Sequence, residues 1–154
     1  MNYQAKLQTP FGVLGILCTP EVLTGINFLR PGAVPLAPRN ALAARVCEQL
    51  AAYVADPDFR FDLPLAVGGT PHQNNVWRAM RNIPRGQVRT YGEIAARLNS
   101  SPLAVGQACG ANPVPIVIPC HRIVARSGLG GFASHRAGHL LDIKRWLLAH
   151  EGAI

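Results

Sequence analysis

The spacing of apolar residues changes along this chain, and the change restricts the folds open to it. Over residues 3–29, apolar and polar side chains alternate or short apolar runs occur, broken by a turn at Pro10-Phe11-Gly12. That pattern predicts short β-strands. From residue 40 onward, most apolar residues recur at helical spacing. We therefore expect an α/β fold in which a small N-terminal sheet precedes a mainly helical part.

Two further elements are predicted in the N-terminal part. A helix over residues 40–54 is indicated by apolar residues four positions apart, namely Leu42, Val46, Leu50 and Val54. Asp56-Pro57 should end this helix. The alternating Phe59, Phe61 and Leu63 then predict a last strand.

Short helices with clear start signals are predicted in the C-terminal part. Thr70-Pro71 supplies an N-cap and a first-turn proline for a helix that reaches about Ile83. Residues 91–98 predict a second helix, and the polar turn at residues 99–102 opens a third, which reaches about Cys109. Two short helices joined by a tight polar turn fit a helix-turn-helix, although tight packing inside a domain is the other interpretation.

The chain divides into two predicted domains, residues 1–65 and residues 66–154, that differ in charge. The first carries five basic and five acidic residues, whereas the second carries ten basic and three acidic ones. The second therefore accounts for the whole net charge of +7, and all five histidines also lie in it. A polyanion such as nucleic acid is the partner this favours, and a solvated basic face is the alternative.

Composition and chain patterning exclude several classes of protein. A hydrophobic content of 49% with 15% charged residues is not that of a disordered chain. No apolar run approaches the roughly 18–20 residues that span a bilayer, and residues 1–6 lack the pattern of a signal peptide. We expect no membrane association and a cytoplasmic, nucleoid-associated location. The four cysteines show no metal-binding spacing, so we expect reduced thiols and no metal site.

The segment that carries chemistry is an apolar stretch ending in Pro119, followed at once by a Cys-His-Arg run. The neighbours of Cys120 are the basic residues His121 and Arg122, and cationic neighbours favour the nucleophilic thiolate. Adjacent side chains in an extended segment point apart, so a Cys120–His121 relay needs a bend or a bridging water. Glu151 is one of the few acids available to orient the base.

Several ordered motifs resemble one family. Asn112-Pro113 and Pro119-Cys120-His121-Arg122 resemble the signature of the O6-alkylguanine-DNA alkyltransferases, also called methylated-DNA–protein-cysteine methyltransferases. Further segments resemble the same family in order: Thr70-Pro71-His72-Gln73, Val76-Trp77, Ile83-Pro84-Arg85-Gly86, Tyr91-Gly92-Glu93-Ile94-Ala95, Ser127-Gly128-Leu129-Gly130-Gly131-Phe132 and residues 144–151. The likeness is close over residues 60–154 and loose over residues 1–59.

The resemblance implies direct-reversal DNA repair by one irreversible, stoichiometric transfer. A flipped O6-alkylguanine, or O4-alkylthymine, would give its alkyl group to Cys120. His121 would act as base through a water, and Glu151 would orient it. Tyr91 would protonate the leaving oxygen and crowd the 3′ phosphate, and Asn112 would hold the active-site turn. Alkylated double-stranded DNA is the implied partner, with no cofactor and a monomeric protein.

The resemblance also assigns binding residues and domain folds. The base would be bound by Tyr91 together with Val124, Leu129, Phe132 and Ala133. DNA would be contacted by Leu103, Ala104, Gln107, Arg122 and Arg126. The implied folds are a ribonuclease-H-like sheet-plus-helix domain followed by a mostly helical, winged-helix-like DNA-binding domain.

The sequence departs from the family pattern in two places. Leu103 occupies the position at which the family carries an arginine that fills the space left by the flipped base. Leucine can still act as an apolar wedge, and Arg97 or Arg126 are candidate substitutes. Residues 132–141 are a few residues longer than the pattern. There, His135, Arg136 and His139 are candidate phosphate contacts or simply exposed residues.

Two other functions are compatible with parts of the pattern. A lesion-binding protein that recruits other repair factors would share the fold, but such alkyltransferase-like proteins have another residue in place of the cysteine, so Cys120 argues against it. A Cys-His hydrolase would need an oxyanion-hole motif, and none is apparent.

Overall fold

The structure is a computed structural model that describes residues 1–131 and 138–154. The chain forms two compact units, residues 1–67 and residues 68–154.

The first unit is a three-stranded antiparallel sheet with one helix. Its strands are β1 (Ala5–Thr9), β2 (Gly12–Cys18) and β3 (Leu23–Phe28), in the order β1-β2-β3. The helix is α1 (Ala41–Ala55). The tight turn between β1 and β2 is possible because Gly12 adopts a φ of +126°, which side chains disfavour. The predicted strands over residues 3–29 are confirmed.

The helix α1 begins where the sequence signals it. The Asn40 side chain accepts a hydrogen bond from the backbone N–H of Ala43 at 2.8 Å and so caps the helix. α1 packs on β1 and β2 and buries an apolar face against the sheet. The core of this unit is formed by Leu14, Ile16, Ile26, Val46 and Leu50, all at most 2% exposed. Each such side chain contributes about 1.5–3 kcal/mol of transfer free energy.

The strand predicted from Phe59, Phe61 and Leu63 is wrong. The segment is irregular, and its backbone is satisfied by a side chain of α1 instead of a neighbouring strand. The N–H of Asp62 donates to the Gln49 side chain at 2.9 Å, and the Gln49 amide donates back to the Asp62 carbonyl at 3.0 Å. Alternation here reflects aromatic packing, since Phe61 contacts the rings of Tyr53 and Phe59.

The second unit is mainly helical. Its helices are α2 (Pro71–Arg81), α3 (Tyr91–Leu98), α4 (Pro102–Gly110) and α5 (His139–His150). Two short strands, β4 (Arg89–Thr90) and β5 (Ile123–Val124), pair in parallel. A single 3-10 turn, Cys120–Arg122, precedes β5. The predicted helices are confirmed, with α2 ending two residues before the expected Ile83.

Side-chain caps explain where these helices start. Thr70 and Thr90 each form a reciprocal capping box, with Gln73 and Glu93 respectively. The hydroxyl of Ser101 accepts from the N–H of Ala104 at 3.1 Å and starts α4. The tight turn between α3 and α4 begins at Asn99, the last cap of α3, in a left-handed conformation with φ of 52°.

The core of the second unit lies between its helices. Val76, Ile94 and Val105, from α2, α3 and α4, are at most 1% exposed. The Trp77 indole N–H donates to the Ala108 carbonyl at 2.9 Å, which joins α2 to α4. The packing leaves one end of α4 open: Leu103 is 72% exposed. Among the described residues, no helix is long and apolar enough to cross a bilayer.

Candidate active site

Cys120 stands at the start of the 3-10 turn and is only 6% exposed. The loop before it is fastened by Asn112. The Asn112 amide donates to the Ile118 carbonyl at 2.8 Å, and its oxygen accepts from the Val114 N–H at 3.1 Å. The same Ile118 carbonyl accepts from the Cys120 N–H at 2.8 Å. One side chain therefore closes the turn that presents the thiol.

The same loop contains a strained residue. Ile116 is buried and has a φ of +75°, a conformation that a β-branched side chain disfavours by about 1–3 kcal/mol. Strain of this kind persists where surrounding contacts over-determine the backbone. The Asn112 hydrogen bonds on either side of Ile116 supply those contacts.

A buried polar network lies directly after Cys120. His121 and Glu151 are both 0% exposed, and His121 Nε2 lies 2.8 Å from Glu151 Oε2. Glu151 also accepts two hydrogen bonds from the Arg122 guanidinium, at 2.9 Å and 3.0 Å. The sequence neighbours His121 and Arg122 thus converge on one carboxylate from the last turn of the chain.

The geometry identifies which imidazole nitrogen of His121 is free to accept a proton. A carboxylate only accepts hydrogen bonds, so Nε2 carries the proton and Nδ1 keeps its lone pair. Among the residues that the structure describes, His121 Nδ1 is the one buried side-chain nitrogen or oxygen without a hydrogen-bond partner. Burial lowers the pKa of His121 below 6.5, against the opposing effect of Glu151. The ring is therefore neutral at pH 7 and able to accept a proton.

Arg122 has a different role from the one the sequence indicated. Besides its two bonds to Glu151, its guanidinium donates to the Ile83 carbonyl at 2.8 Å, and the side chain is only 14% exposed. With these donors turned inward, Arg122 orients the carboxylate and is not placed to contact phosphate.

Burial has a larger effect on the pKa of the Cys120 thiol than the neighbouring polar groups have. Burial raises the pKa of Cys120 to about 11, while the Asn112 amide and the Lys144 ammonium act in the opposite direction. Lys144 is 24 residues away in sequence and was not among the predicted site residues. A signal was present, since Lys144 shares a helical face with the apolar Leu141, Leu147 and Leu148.

Tyr91 is held against the segment that follows β5. It opens α3, and its hydroxyl donates to the Gly131 carbonyl at 3.4 Å. Gly130 has a φ of +73°, and a Cβ there would lie 2.9 Å from a Tyr91 ring carbon. A side chain at residue 130 would displace the ring, so Gly130, which lies in a segment that resembles the family pattern but was not among the predicted site residues, helps to position Tyr91.

The remaining predicted base-binding residues are only partly described. Val124 lies on β5 and Leu129 on the segment after it, and both are half-buried. Phe132 and Ala133 lie outside the described residues, as do His135 and Arg136.

The predicted DNA contacts of α4 lie on an accessible surface. Leu103 and Gln107 are exposed and Ala104 is half-buried. Arg126, in the segment after β5, is exposed too. Exposed residues also include Arg97 on α3 and His139, the first residue of α5. Within residues 1–131 and 138–154, no group of three or more His, Cys, Asp or Glu side chains could hold a metal ion.

Comparison with known proteins gives a consistent result. Residues 71–153 match the family model described as the DNA-binding domain of 6-O-methylguanine DNA methyltransferase. A methylated-DNA–protein-cysteine methyltransferase of Salmonella typhimurium is 36% identical, with 97% of this chain and 95% of the relative covered. One from Mycolicibacterium paratuberculosis is 38% identical, with 94% and 89% covered.

Solved structures agree with these sequence matches. A crystal structure of Mycobacterium tuberculosis O6-methylguanine methyltransferase superposes with a TM-score of 0.82 at 33% identity, covering 99% of this chain and 94% of that one. A structure of the Mycobacterium tuberculosis protein OGT in complex with DNA gives a TM-score of 0.77 at 33% identity, covering 96% and 91%.

Proposed function

The chain belongs to the 6-O-methylguanine DNA methyltransferase family, and from that premise we propose how its residues carry out the reaction. It is a methylated-DNA–protein-cysteine methyltransferase and acts in direct-reversal DNA repair. The alkyl group of O6-alkylguanine is transferred to the Sγ of Cys120, once per molecule. O4-alkylthymine is a second candidate substrate of the same chemical type.

One observation carries this proposal: the 2.8 Å hydrogen bond from His121 Nε2 to the buried Glu151 carboxylate. It fixes the tautomer in which Nδ1 of His121, the residue that follows Cys120 in the turn, keeps its lone pair. A neutral, oriented imidazole next to a buried thiol is the arrangement that activates a cysteine nucleophile. Asn112 supports it by closing the turn.

The transfer requires one bond to form and one to break. His121 Nδ1 takes the Cys120 proton, directly or through one water, and the sulfur attacks the alkyl carbon. The carbon–oxygen bond breaks as the sulfur–carbon bond forms, and the guanine O6 takes a proton from the Tyr91 hydroxyl. The proton on His121 then returns through solvent to Tyr91, and the O6–H form of the base relaxes to the N1–H form. Guanine is restored and Cys120 becomes a thioether. The sulfur–carbon bond of a thioether is not readily broken, so the thiol is not regenerated and each protein molecule reacts once.

The base is reached by flipping it out of the duplex, since its O6 lies inside the stack. We assign its binding to Tyr91, Val124 and Leu129, with Phe132 and Ala133 carried over from the family pattern alone. The fixed position of Tyr91 against Gly130 and Gly131 supports this assignment.

DNA is gripped by the second unit. Residues 66–154 carry the whole excess positive charge of the chain, as phosphate binding requires. We assign contacts to Leu103, Ala104, Gln107 and Arg126. The 72% exposure of Leu103 at the start of α4 supports a role as an apolar wedge in the space left by the base.

The finer fold description and the partners are part of the same proposal. The α3–α4 pair beside the two-stranded sheet supports a winged-helix-like description of the second unit. A three-stranded sheet with one helix supports a ribonuclease-H-like first unit. We place the domain boundary at residues 67–68, two residues after the 65–66 that the sequence predicts. We also propose a monomer acting on alkylated duplex DNA in the cytoplasm, near the nucleoid, without a cofactor.

The test is retention of the alkyl group. The protein is incubated with a duplex containing O6-methylguanine, and intact and peptide masses are recorded. We expect a gain of one methyl on Cys120, saturating at about one per molecule and absent in Cys120→Ser. Cys47→Ser is the matched control, because burial raises the pKa of Cys47 to about 11 as well.

Two outcomes would overturn the proposal. Binding to the lesion without any mass change would leave a recruitment protein, and repeated turnover with release of product would indicate a hydrolase.

A further inference from the structure

Lys144 is unusual among the buried residues of the described chain. The chain has only two lysines, Lys6 and Lys144. Lys6 is partly exposed, whereas Lys144 on α5 is 0% exposed. Lysine is almost never fully buried without partners that satisfy its charge.

The partners of Lys144 are three backbone carbonyls. Its ammonium donates to the carbonyl oxygens of Ile123 at 2.8 Å, Leu129 at 2.5 Å and Gly131 at 2.8 Å. An ammonium has three donors, so all of them are used. The three acceptors lie along one segment, which begins at β5 directly after the 3-10 turn of Cys120.

The same segment also contacts Tyr91 and keeps its side chain in place. The Gly131 carbonyl accepts from both Lys144 and the Tyr91 hydroxyl, and Gly130 lies against the Tyr91 ring. Lys144 therefore fixes the backbone on which the proposed proton donor and the base-binding residues depend.

The charge of Lys144 has no carboxylate partner in the described part of the chain. Glu151, the nearby buried acid, is bonded to His121 and Arg122 instead. The titratable groups that share its surroundings are the thiols of Cys120 and Cys109 and the imidazole of His121. A buried cation without an anion is costly, and a Cys120 thiolate would offset that cost.

We infer that Lys144 is a positioning residue of the transfer reaction: it clamps residues 123–131 through three carbonyls and supplies the buried positive charge opposite the Cys120 thiolate. The inference rests on the proposed alkyl transfer to Cys120. It concerns reactivity of the thiol itself, which can be measured without DNA.

The test compares Lys144→Met, Lys144→Arg and Arg145→Met with the unaltered protein. Lys144→Met removes the donors and the charge, and Lys144→Arg keeps the charge. Arg145→Met is the matched control, because it removes one positive charge from the next residue of α5, whose side chain is 55% exposed. Circular dichroism and thermal unfolding verify that each variant is folded.

The first readout is the rate at which iodoacetamide modifies Cys120 between pH 7 and pH 10, followed by peptide mass. We expect Lys144→Met to react roughly three- to tenfold more slowly near pH 7. The difference should shrink above about pH 8, because burial lowers the pKa of Lys144 to about 8 and its charge is lost above that pH. Lys144→Arg and Arg145→Met should stay within about threefold of the unaltered protein. Equal rates in the folded Lys144→Met variant, or an equal loss in Lys144→Arg, would overturn the role of the charge.

The second readout needs no variant at residue 144, so misfolding cannot obscure it. In protein labelled with ¹⁵N at lysine Nζ, we expect one ammonium signal in slow exchange with water, from Lys144, and none from Lys6. The Lys144 signal should shift when Cys120 is methylated. Exchange of Lys144 as fast as that of Lys6 would overturn the clamp.

Failure of the proposed function can be distinguished from failure of the inference on Lys144. If the unaltered protein gains no methyl from the duplex, the proposed function fails, whatever the iodoacetamide and exchange data show. If it gains the methyl and Lys144→Met gains it at the same single-turnover rate, only the inference on Lys144 fails.

Discussion

His121 is neutral at pH 7 because its ring is fully buried, even though a carboxylate lies 2.8 Å away. Glu151 remains available as an anion because the Arg122 guanidinium holds both of its oxygens. Neutral imidazole is the form that can take a proton from a thiol. Glu151 thus carries the negative charge, Arg122 balances that charge, and His121 is able to accept the proton.

The lowered pKa of His121 predicts the acid limb of the reaction. Protonation removes the base, and it occurs below the 6.5 of an unburied histidine. As pH decreases from 8, the single-turnover transfer rate should therefore fall to half only below pH 6.5. Unfolded protein binds this proton more readily than folded protein, so stability should also decline as pH falls below 6.5. A rate that is halved at pH 6.5 or above would contradict this.

Replacing the carboxylate should damage both activity and stability. Glu151→Gln leaves Arg122 without its counter-charge in a buried site, and removing one partner of a buried ion pair costs about 3–5 kcal/mol. We expect a loss of that order in urea unfolding and a transfer rate lower by at least about tenfold.

Asp142→Asn is the control for the Glu151 variant. It breaks the exposed pair between Arg145 and Asp142, which should cost less than about 1 kcal/mol. Similar losses in the two variants would argue against the network.

At the scale of elements, the site is assembled from residues at the ends of helices and turns rather than in their interiors. Cys120 opens a 3-10 turn, Tyr91 opens α3, and Glu151 caps the end of α5. Helix ends place side chains and backbone groups at a surface where separate elements meet. Alignment of the site therefore depends on the short segments that connect these elements.

A pair of glycines tests the connecting segment. Gly130→Ala would place a Cβ 2.9 Å from the Tyr91 ring in a backbone conformation with φ of +73°, so we expect a transfer rate lower by at least about tenfold. Gly128→Ala, two residues earlier, would meet nothing within 4 Å and should stay within about twofold. The measurement is the single-turnover transfer rate of both variants, with thermal melts to show that each variant is folded. Full activity in a folded Gly130→Ala protein would show that the position of Tyr91 is not critical.

The exposed start of α4 predicts a substrate-dependent effect of Leu103. Unstacking a base costs a few kcal/mol, and a wedge is needed only where a base must leave a duplex. Leu103→Ala should slow transfer from duplex by about tenfold and leave transfer from a single-stranded oligonucleotide nearly unchanged. The ratio of the two rates is the measurement, and an equal loss on both substrates would refute the wedge.

At the scale of the whole molecule, the two units differ in net charge. The neutral first unit has equal numbers of acids and bases, and the second carries +7. DNA affinity should therefore decrease with salt, with a slope of about 0.9 per phosphate contact. The same salt should not affect modification of Cys120 by iodoacetamide, since its surroundings are buried.

Arg126 provides the residue test of that charge. Arg126→Gln should reduce the salt slope of duplex binding by about one. Arg39→Gln, an exposed arginine of the neutral unit, should leave the slope unchanged. Fluorescence anisotropy with an unmodified duplex over a range of salt concentrations gives both slopes. Equal slopes for Arg126→Gln and the unaltered protein would exclude Arg126 from the DNA contact.

Local signals made most elements predictable. Asn40, Thr70 and Ser101 cap helices where they stand in the sequence, because capping needs only residues a few positions apart. Residues 59–63 show the alternation of apolar and polar residues that is typical of a strand, but they do not form one. Its backbone partner is Gln49, and no local pattern shows which distant side chain will satisfy a backbone group.

The sequence by itself determined the family and the helix starts, and it singled out the proposed acceptor Cys120 and the proposed base His121, since these depend on motif order and short-range hydrogen bonding. Tertiary structure decided the electrostatics. It turned Arg122 inward to Glu151, left His121 Nδ1 with the lone pair, and buried Lys144 beneath the segment that follows Cys120. Burial and the direction of a side chain are set by groups far apart in sequence, and they determine which charges act on the thiol.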